Sequence, residues 1–333
     1  MTGGIAVLGA GSWGTALANL LARKGVPVRL WAYEAEVVEG INREHRNPLF
    51  LSQVPLPSSL RAFADPREAV RDAGLLLSVA PSHVVRSVLT RVADDVSAGR
   101  IVVSATKGIE PDSLKLMHEV ISEVLPGVRV AALSGPSFAQ EVAQGQPTAV
   151  VAASADEGTA TAVQEAFATR RFRVYSNDDV VGVELAGALK NVIAIAAGIL
   201  EGLGLGNNPR AALITRGLAE MTRLGTAMGA QAMTFAGLAG MGDLILTTTG
   251  ALSRNRALGM ALAQGETLQS YTAAHRTVAE GVNTARAARR LAEARDVELP
   301  ITEQVCAVLF EGKPPEQAVS DLMERALKPE LWR

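Results

Sequence analysis

Short apolar runs alternate with helical patterns through the first half of the chain. The runs that read as strands are Ile5–Leu8, Val28–Trp31, Leu75–Val79, Ile101–Ala105, Val130–Leu133, Ala149–Ala152 and Phe172–Tyr175. Continuous apolar strands that alternate with helices are typical of a parallel sheet covered on both faces. We therefore predict a mainly parallel α/β sheet here, with the Pro-rich stretch NPLFLSQVPLP at 47–57 as a surface loop.

The pattern changes after Asn177, where long Ala- and Leu-rich helical segments follow with almost no β-rich runs. Three glycine-rich pieces are expected to separate these helices: 202–206, 237–242 and 259–265. A chain of 333 residues has room for two domains of ordinary size. We predict an α/β domain over residues 1–177 and an all-α domain over residues 178–333.

The most apolar stretch, ELAGALKNVIAIAAGIL at 184–200, contains a lysine. From 185 to 200 every residue is apolar or glycine except Lys190 and Asn191. The residues nearest to Lys190 on a helical wheel are small: Ala186, Gly187, Ala194 and Ala197. Small neighbours leave room for a ligand, although a lysine with a packed stem and a solvated head fits the wheel equally well.

Length argues against a membrane-spanning helix at this place. The run of 16 residues is flanked by Glu184 and Glu201, whereas a spanning helix needs about 20 apolar residues. We expect a helix buried inside a globular domain and no membrane span.

A glycine-rich turn follows the first strand directly. Gly9, Gly11 and Gly14 form a G-x-G-x-x-G pattern that opens the predicted helix Thr15–Arg23. The first glycine permits the tight turn, the second lets a pyrophosphate approach the backbone, and the third allows close packing of helix and strand. The free N–H groups of the helix start then face the phosphates. This context predicts a Rossmann-type dinucleotide-binding domain.

The end of the second strand leaves the choice between NAD and NADP open. An acidic residue about 20 positions after the glycines favours NAD, and Glu34 lies 20 residues after Gly14. Tyr33 stands beside it and is a candidate for an adenine or ribose contact.

Four later pieces carry polar side chains at predicted strand ends or helix starts: Ser104–Gly108, Leu133–Ala139, Gly242–Thr247 and Ser253–Arg256. Ligands of open α/β sheets bind beyond the carboxyl ends of the strands, so Lys107 and Ser137 are expected to face that crevice. Ser253 is a plausible N-cap for a helix running to about Ala263, and Arg254 adds a donor fork suited to a phosphate monoester. A solvated loop lysine and a capped helix with surface arginines fit the same patterns.

Seven motifs together resemble one family. GAGSWG, SATKGIE, SGPSFA, ELAGALKNVIAIAAGI, GDLILTTT, SRNR and AEGVNTA occur here in the order found in NAD(P)-dependent glycerol-3-phosphate dehydrogenases of the bacterial type. The resemblance runs from about residue 4 to residue 310. It implies reversible reduction of dihydroxyacetone phosphate to sn-glycerol 3-phosphate with NADH or NADPH, which supplies glycerophospholipid synthesis.

The resemblance also implies roles for individual residues. The implied cofactor contacts, beside the glycine turn, are Ser12, Trp13, Tyr33, Lys107, Ala139, Arg254, Val278 and Glu280. The implied substrate contacts are Lys107, Gly135, Ser137, Lys190, Asp243, Ser253, Arg254 and Asn255. Lys190 matches the proton acceptor, and Thr247 matches a polar residue near the reacting hydroxyl. Many members carry an arginine after the second strand, where this chain reads Ala-Tyr-Glu, and this departure keeps the cofactor preference open.

The chemistry explains why a lysine would serve. Transfer of a hydride to a ketone requires a proton donor at the oxygen, and the reverse reaction requires a base. Burial and nearby cations lower the pKa of a lysine toward neutrality, so that it can act in both directions. Our hypothesis is that Lys190 is the acid/base, that the Lys107 cation contributes to lowering its pKa, and that Asp243 orients it.

Composition limits the remaining possibilities. The formal net charge of −2 disfavours a nucleic-acid binder. The single cysteine, Cys306, excludes an internal disulfide and a multi-cysteine metal site; the four histidines show no metal-ligand spacing. The chain start lacks a signal-peptide pattern, so we expect a cytoplasmic protein without a metal. The apolar helices suggest a homodimer but fit a core equally well.

Two other functions stay open at this point. One is a dehydrogenase of the same two-domain plan that acts on a 3-hydroxy acid or a phosphorylated sugar acid. The other is a non-catalytic dinucleotide sensor, which would need the glycine turn but neither Lys190 nor Asp243.

Overall fold

The first half of the protein is built on a single eight-stranded sheet. The structure is a computed structural model that describes residues 3–275, 279–327 and 329–330. Its strands are β1 (Gly4–Leu8), β2 (Val28–Trp31), β3 (Arg61–Phe63), β4 (Ala73–Ser78), β5 (Ile101–Ser104), β6 (Arg129–Ser134), β7 (Thr148–Ala153) and β8 (Phe172–Asn177).

The strand order is β3-β2-β1-β4-β5-β6-β7-β8. All neighbouring pairs are parallel except β6 and β7. Strands β2 and β3 are added on one side of β1, and β4 and the later strands are added on the other side. This change of side places a crevice outside the carboxyl ends of β1 and β4, as in doubly wound sheets.

Helices connect most of the strands and then make up the second half. Those of the first half are α1 (Ser12–Arg23), α2 (Ala35–Glu39), α3 (Pro66–Val70), α4 (Val85–Thr90), α5 (Met117–Val124), α6 (Ala139–Ala143) and α7 (Glu157–Phe167). Those of the second half are α8 (Val180–Gly202), α9 (Asn207–Ala227), α10 (Ala232–Phe235), α11 (Asp243–Thr249), α12 (Arg254–Ala263), α13 (Leu268–Ala274), α14 (Glu280–Glu293), α15 (Pro300–Phe310) and α16 (Pro315–Met323). Short π-helical turns at Gly40–Glu44 and Leu238–Gly242 and a 3-10 turn at Ala93–Asp95 complete the described elements.

The central strands of the sheet are buried on both faces, as continuous apolar strands predict, whereas the edge strands β3 and β8 have exposed residues. Ile5 and Val7 of β1 pack into one hydrophobic cluster, while Ala6 and Leu8 pack into the cluster on the opposite face. A third cluster fills the helical half around α8. The predicted class, a mainly parallel Rossmann-type α/β domain followed by an all-α domain, is confirmed.

Helix α8 is the centre of the helical half. In the part of the chain that the structure describes, it is the one single helix long and apolar enough to cross a membrane, but 89% of its apolar window is buried inside the protein. The stretches 232–249 and 254–263 pass that test only as a pair bent by 47°. The buried environment of α8 is that of a core helix.

Glycines allow α12 to cross α8 at short range. A Cβ atom on Gly198 would lie 2.8 Å from the carbonyl carbon of Arg256, and one on Gly259 would lie 2.8 Å from the Ile199 nitrogen. The guanidinium of Arg256 also donates to the carboxylate of Glu201 at the end of α8, with a distance of 2.8 Å from Nε to Oε2. The first turn of α12 is therefore fixed against α8.

Three expectations about local structure are wrong. Strand β3 was not predicted, because three residues with an exposed arginine carry no apolar alternation. The stretch 47–57 is not a mere surface loop, since it contributes four buried side chains: Asn47, Leu51, Val54 and Leu56. The glycine-rich piece 259–265 does not separate helices at its start, because Gly259 lies inside α12 at the close crossing.

The change from strands to helices falls between Asn177, the end of β8, and Val180, the start of α8. Asp179 caps α8, its side chain accepting a hydrogen bond of 2.8 Å from the Gly182 N–H. A domain boundary at 177/178 agrees with this position and stays our proposal.

Candidate active site

The carboxyl ends of the central strands meet at one edge of the sheet. Leu8 of β1 pairs with Ser78 of β4, and Ser78 pairs with Ser104 of β5, so the three strands end level with each other. Lys107 follows β5 by three residues, and Gly135 follows β6 directly. Both predicted site residues therefore lie at the crevice.

Two lysines converge on one buried carboxylate in this crevice. Nζ of Lys190 donates to Oδ1 of Asp243 at 2.8 Å and to Oγ1 of Thr247 at 2.6 Å. Nζ of Lys107 donates to Oδ2 of the same aspartate at 2.6 Å and to the carbonyl oxygen of Gly135 at 3.2 Å. The structure thus brings together five residues that the sequence analysis selected.

Local structure explains how these side chains meet. Lys190 follows Gly187 by three residues on α8, and a Cβ atom added at Gly187 would lie 2.7 Å from Oγ of Ser134 and 3.6 Å from Cγ of Lys107. Asp243 is the first residue of α11, directly after the π-helical turn Leu238–Gly242. Thr247 stands one helical turn later on the same face and also contacts Asp243, at 3.3 Å between Oγ1 and Oδ1.

Burial lowers the pKa of the lysine at the centre of the site, Lys190. The side chain of Lys190 is 7% exposed and that of Asp243 only 1%. Loss of hydration lowers the pKa of Lys190 from 10.5 to about 8, the Lys107 cation lowers this pKa too, and the Asp243 carboxylate opposes both effects. Lys190 can therefore gain or lose a proton close to neutral pH.

The start of α12 lies beside this cluster. Ser253 is the N-cap, as predicted, because its Oγ accepts a hydrogen bond of 3.3 Å from the Arg256 N–H. The Arg254 side chain is exposed. Asn255 is buried, and its amide donates to Oδ1 of Asn191 at 3.0 Å and accepts from the Gly281 N–H at 2.9 Å. The predicted phosphate-binding helix end is thereby joined to the residue after Lys190.

The glycine turn has the geometry that a pyrophosphate requires. Gly9 has a φ of 124°, and a Cβ atom there would lie 2.9 Å from the Ala80 nitrogen. A Cβ atom on Gly14 would lie 3.0 Å from the carbonyl carbon of Gly9. A Cβ atom on Gly11 would meet nothing within 4 Å, so open space lies in front of the helix start. Trp13 adds a buried indole N–H without a protein partner among the described residues.

Comparison with known proteins gives the same result for both halves of the chain. A family model described as the NAD-dependent glycerol-3-phosphate dehydrogenase N-terminus matches residues 4–160, and one described as the C-terminus of that enzyme matches residues 179–320. The chain belongs to the NAD-dependent glycerol-3-phosphate dehydrogenase family.

Individual members of this dehydrogenase family are similar over nearly their full length. A protein of Geobacter sulfurreducens named glycerol-3-phosphate dehydrogenase (NAD(P)+) is 58% identical, covering 98% of this chain and 99% of its own. The crystal structure of glycerol-3-phosphate dehydrogenase from Coxiella burnetii aligns with a TM-score of 0.94 at 44% identity, covering 97% of this chain and 99% of its own. The enzyme of Saccharomyces cerevisiae aligns with a TM-score of 0.83 at 28% identity, covering 98% of this chain and 100% of its own.

A second carboxylate of the dehydrogenase, which is half-buried, lies across the crevice at the start of α14. Glu280 accepts a hydrogen bond of 3.3 Å from Oγ of Ser82, which follows β4. Burial raises the pKa of Glu280 to about 7, while the Arg254 cation and Ser82 oppose the rise. The predicted cofactor residue Glu280 therefore connects the sheet edge with the helical half.

Within the described part of the chain, the remaining predicted positions form no hydrogen bond with either lysine directly, although Ser137 shares the Gly135 carbonyl with Lys107. Tyr33 stands beyond β2 with 82% of its surface exposed. Ala139 is the first residue of α6. The Ser137 hydroxyl donates to the Gly135 carbonyl at 2.9 Å, and the Ser12 hydroxyl donates to the Phe50 carbonyl at 2.7 Å. Val278 lies outside the described residues.

Sequence reasoning missed two polar residues that contact the selected ones. Asn191 was visible as the second polar residue in the apolar run, yet its bond to Asn255 depends on how α12 crosses α8. The only sequence signal for Ser82 was its position after a predicted strand, and its partner Glu280 is 198 residues away.

Metal ligands do not cluster in this region. Across residues 3–275, 279–327 and 329–330, no three His, Cys, Asp or Glu side chains lie together in a way that could hold a metal ion.

Proposed function

We propose that this chain catalyses the NAD(P)-dependent, reversible reduction of dihydroxyacetone phosphate to sn-glycerol 3-phosphate, with Lys190 as the acid/base. Membership of the family supports the reaction. The contact that carries the assignment of Lys190 is its buried Nζ atom, held between Asp243 and Thr247. The product is the backbone from which glycerophospholipids are built.

The proton step follows from the lysine cluster. Near pH 7, Lys190 is mostly protonated, because its pKa is about 8, and it can donate a proton to the ketone oxygen during reduction. In the oxidation direction the neutral amine accepts the proton of the hydroxyl. Asp243 fixes the position of the ammonium, and Thr247 directs it through a second hydrogen bond.

Substrate and cofactor would be held on opposite sides of this cluster. The N-terminus of α12 with Ser253, Arg254 and Asn255 suits the substrate phosphate, since free helix N–H groups and a guanidinium both attract anions. The open space at Gly11 suits the pyrophosphate of the nucleotide. When bound, NADH or NADPH supplies the hydride.

A direct assay tests the function. Purified protein is mixed with dihydroxyacetone phosphate and either NADH or NADPH, and the absorbance of the reduced nucleotide is followed. We expect oxidation that depends on the substrate, and the ratio of the two rates gives the cofactor preference that Tyr33 and Glu34 leave open. Folded protein that binds nucleotide but oxidises neither NADH nor NADPH in the presence of dihydroxyacetone phosphate would contradict the proposal and favour a carboxylate substrate.

Three broader assignments are part of the proposal. The N-terminal family model ends at residue 160 and the C-terminal one begins at residue 179, which supports domains 1–177 and 178–333. A cytoplasmic location fits a chain with one cysteine. A homodimer fits the exposed apolar residues Met241, Ile245 and Leu252 of the helical half, and light scattering of the purified protein tests it.

A further inference from the structure

One buried asparagine lies outside every motif that the function uses. Asn47 belongs to the stretch after the π-helical turn Gly40–Glu44, and none of its surface is exposed. An asparagine side chain can donate two hydrogen bonds and accept two. A fully buried amide is costly unless these bonds are made.

The two donor bonds of Asn47 reach the glycine turn. Its Nδ2 donates to the carbonyl oxygen of Ala10 at 2.8 Å and to Oγ1 of Thr15 at 2.8 Å. Ala10 stands between the first two glycines, and Thr15 follows the third. Thr15 itself donates to the Ala10 carbonyl at 3.1 Å. One amide group therefore bridges the two ends of the turn.

The acceptor of Asn47 orders its own segment against the same turn. Its Oδ1 accepts from the N–H groups of Leu49 and Phe50, both at 3.1 Å. The Phe50 carbonyl in turn accepts from the Ser12 hydroxyl at 2.7 Å. All four hydrogen bonds of the amide are made, and the segment and the turn hold each other in place.

We propose that Asn47 is a positioning residue that holds the glycine-rich turn in the shape that accepts the pyrophosphate of NAD(P)H. The inference rests on the proposed function, because it assumes that this turn binds the nucleotide. The Ser12 hydroxyl is committed to Phe50, so the groups left to face the pyrophosphate are backbone N–H groups at the start of α1. Their direction depends on where the Ala10 peptide and the first turn of α1 are held.

Two variants of Asn47 and one control separate this role from general stability. Asn47→Ala removes all four bonds. Asn47→Leu keeps the size of the side chain and adds no charge near the pyrophosphate, so it tests the same role if the alanine variant folds poorly. Asn19 is the matched control, because it is a buried asparagine like Asn47. It lies on α1, where it donates to the Ala143 carbonyl and accepts from Arg23, away from the turn.

The dissociation constants of NADH and of ADP-ribose are measured by fluorescence titration without substrate, alongside unfolding temperatures and steady-state kinetics. We expect both Asn47 variants to raise the two dissociation constants in parallel by about tenfold, equivalent to about 1.4 kcal/mol. The kcat at saturating NADH should change by less than about threefold, since Lys190 is untouched. Asn19→Ala should lower the unfolding temperature and leave both dissociation constants unchanged.

Unchanged NADH affinity in both Asn47 variants would overturn the proposal, and so would an equal loss of affinity in Asn19→Ala. A wild-type protein that binds NADH but does not reduce dihydroxyacetone phosphate would contradict the proposed reaction instead. The ratio of dissociation constants would still decide the role of Asn47 in that case.

Discussion

Replacement of Gly198 by alanine tests whether the close crossing of α8 and α12 sets the geometry of the site. The new Cβ atom would overlap the carbonyl oxygen of Arg256 and would lie 2.8 Å from its carbonyl carbon and 3.0 Å from its Cα atom. Carbon atoms in contact are normally separated by about 3.5 Å or more. The backbone of α12 must therefore retreat by about 1 Å or more at this point, because the carbonyl oxygen is the closest of these atoms.

The retreat would act on the substrate side of the crevice. Arg256 directly follows Arg254 and Asn255, so these residues move away from Lys190 together with it. A displacement approaching 1 Å costs up to about 100-fold in rate when it misplaces a reacting group. We expect kcat/KM for dihydroxyacetone phosphate to fall by about 10- to 100-fold, and the overpacked crossing to cost about 1–3 kcal/mol of stability.

Gly158 provides the matched control for this experiment. It also lies in a helix, α7, but an added Cβ atom would meet only Asp156 at an ordinary distance of 3.6 Å. Gly158→Ala should keep wild-type kinetics and NADH affinity. The assay is steady-state reduction of dihydroxyacetone phosphate at saturating NADH, with thermal unfolding of each variant. If Gly198→Ala kept kcat/KM within about twofold of wild type, the activation free energy would have changed by less than about 0.4 kcal/mol. The helix crossing would then not control the site.

Three further predictions concern charged groups. Because the pKa of Lys190 is lowered to about 8, kcat/KM for reduction should fall as the pH rises through about 8 and kcat/KM for oxidation should rise there; flat profiles of kcat/KM against pH would contradict its role. Arg254→Gln should raise KM for dihydroxyacetone phosphate by roughly 10- to 100-fold through loss of a charge-assisted bond, with NADH affinity measured beside it; an unchanged KM would remove Arg254 from the phosphate site. Glu220 accepts from the backbone N–H groups of Ile301 and Thr302 at the start of α15, and burial raises its pKa from 4.5 to about 7. The folded state thus holds this proton more tightly, so its stabilisation is complete below pH 4.5 and is lost as the pH rises to about 7, at a cost of about 3 kcal/mol. Glu220→Gln should flatten that part of the pH dependence of the unfolding free energy measured by urea titration, and an unchanged slope would refute the assignment.

The sheet was largely predictable because its signal is local. Seven of the strands are mainly apolar runs between turn residues, and the central ones are buried on both faces as such runs imply. The edge strand β8 differs, since its Arg173 and Tyr175 are exposed. Strand β3 escaped because it is short and begins with the exposed Arg61. The antiparallel pairing of β6 with β7 could not be read from the sequence, because apolar periodicity does not record strand direction.

The candidate site was predictable in its members more than in its contacts. The helical wheel placed Lys190 among small residues, and the motifs supplied Asp243 and Lys107. That both lysines bind opposite oxygens of one carboxylate follows only from how three distant segments pack. The role of Asn47 was hidden for the opposite reason, since Pro-rich composition indicates a loop but says nothing about whether the loop is buried.

Asp243 joins the sheet half of the chain to the helical half. Lys107 follows a strand of the sheet, whereas Lys190 and Asp243 belong to helices of the second half. The lysine on the sheet side contributes to lowering the pKa of the one on the helix side. Burial has the largest effect on this pKa, and the acid strength of the site therefore depends only in part on how closely the two halves pack. Slight loosening of the contact between the two halves would leave the glycine turn intact but would change the pKa of the proton donor. Catalysis would then be more sensitive to this contact than nucleotide binding at the turn. A substitution far from the crevice that tightens this junction would shift the pH range in which the enzyme works.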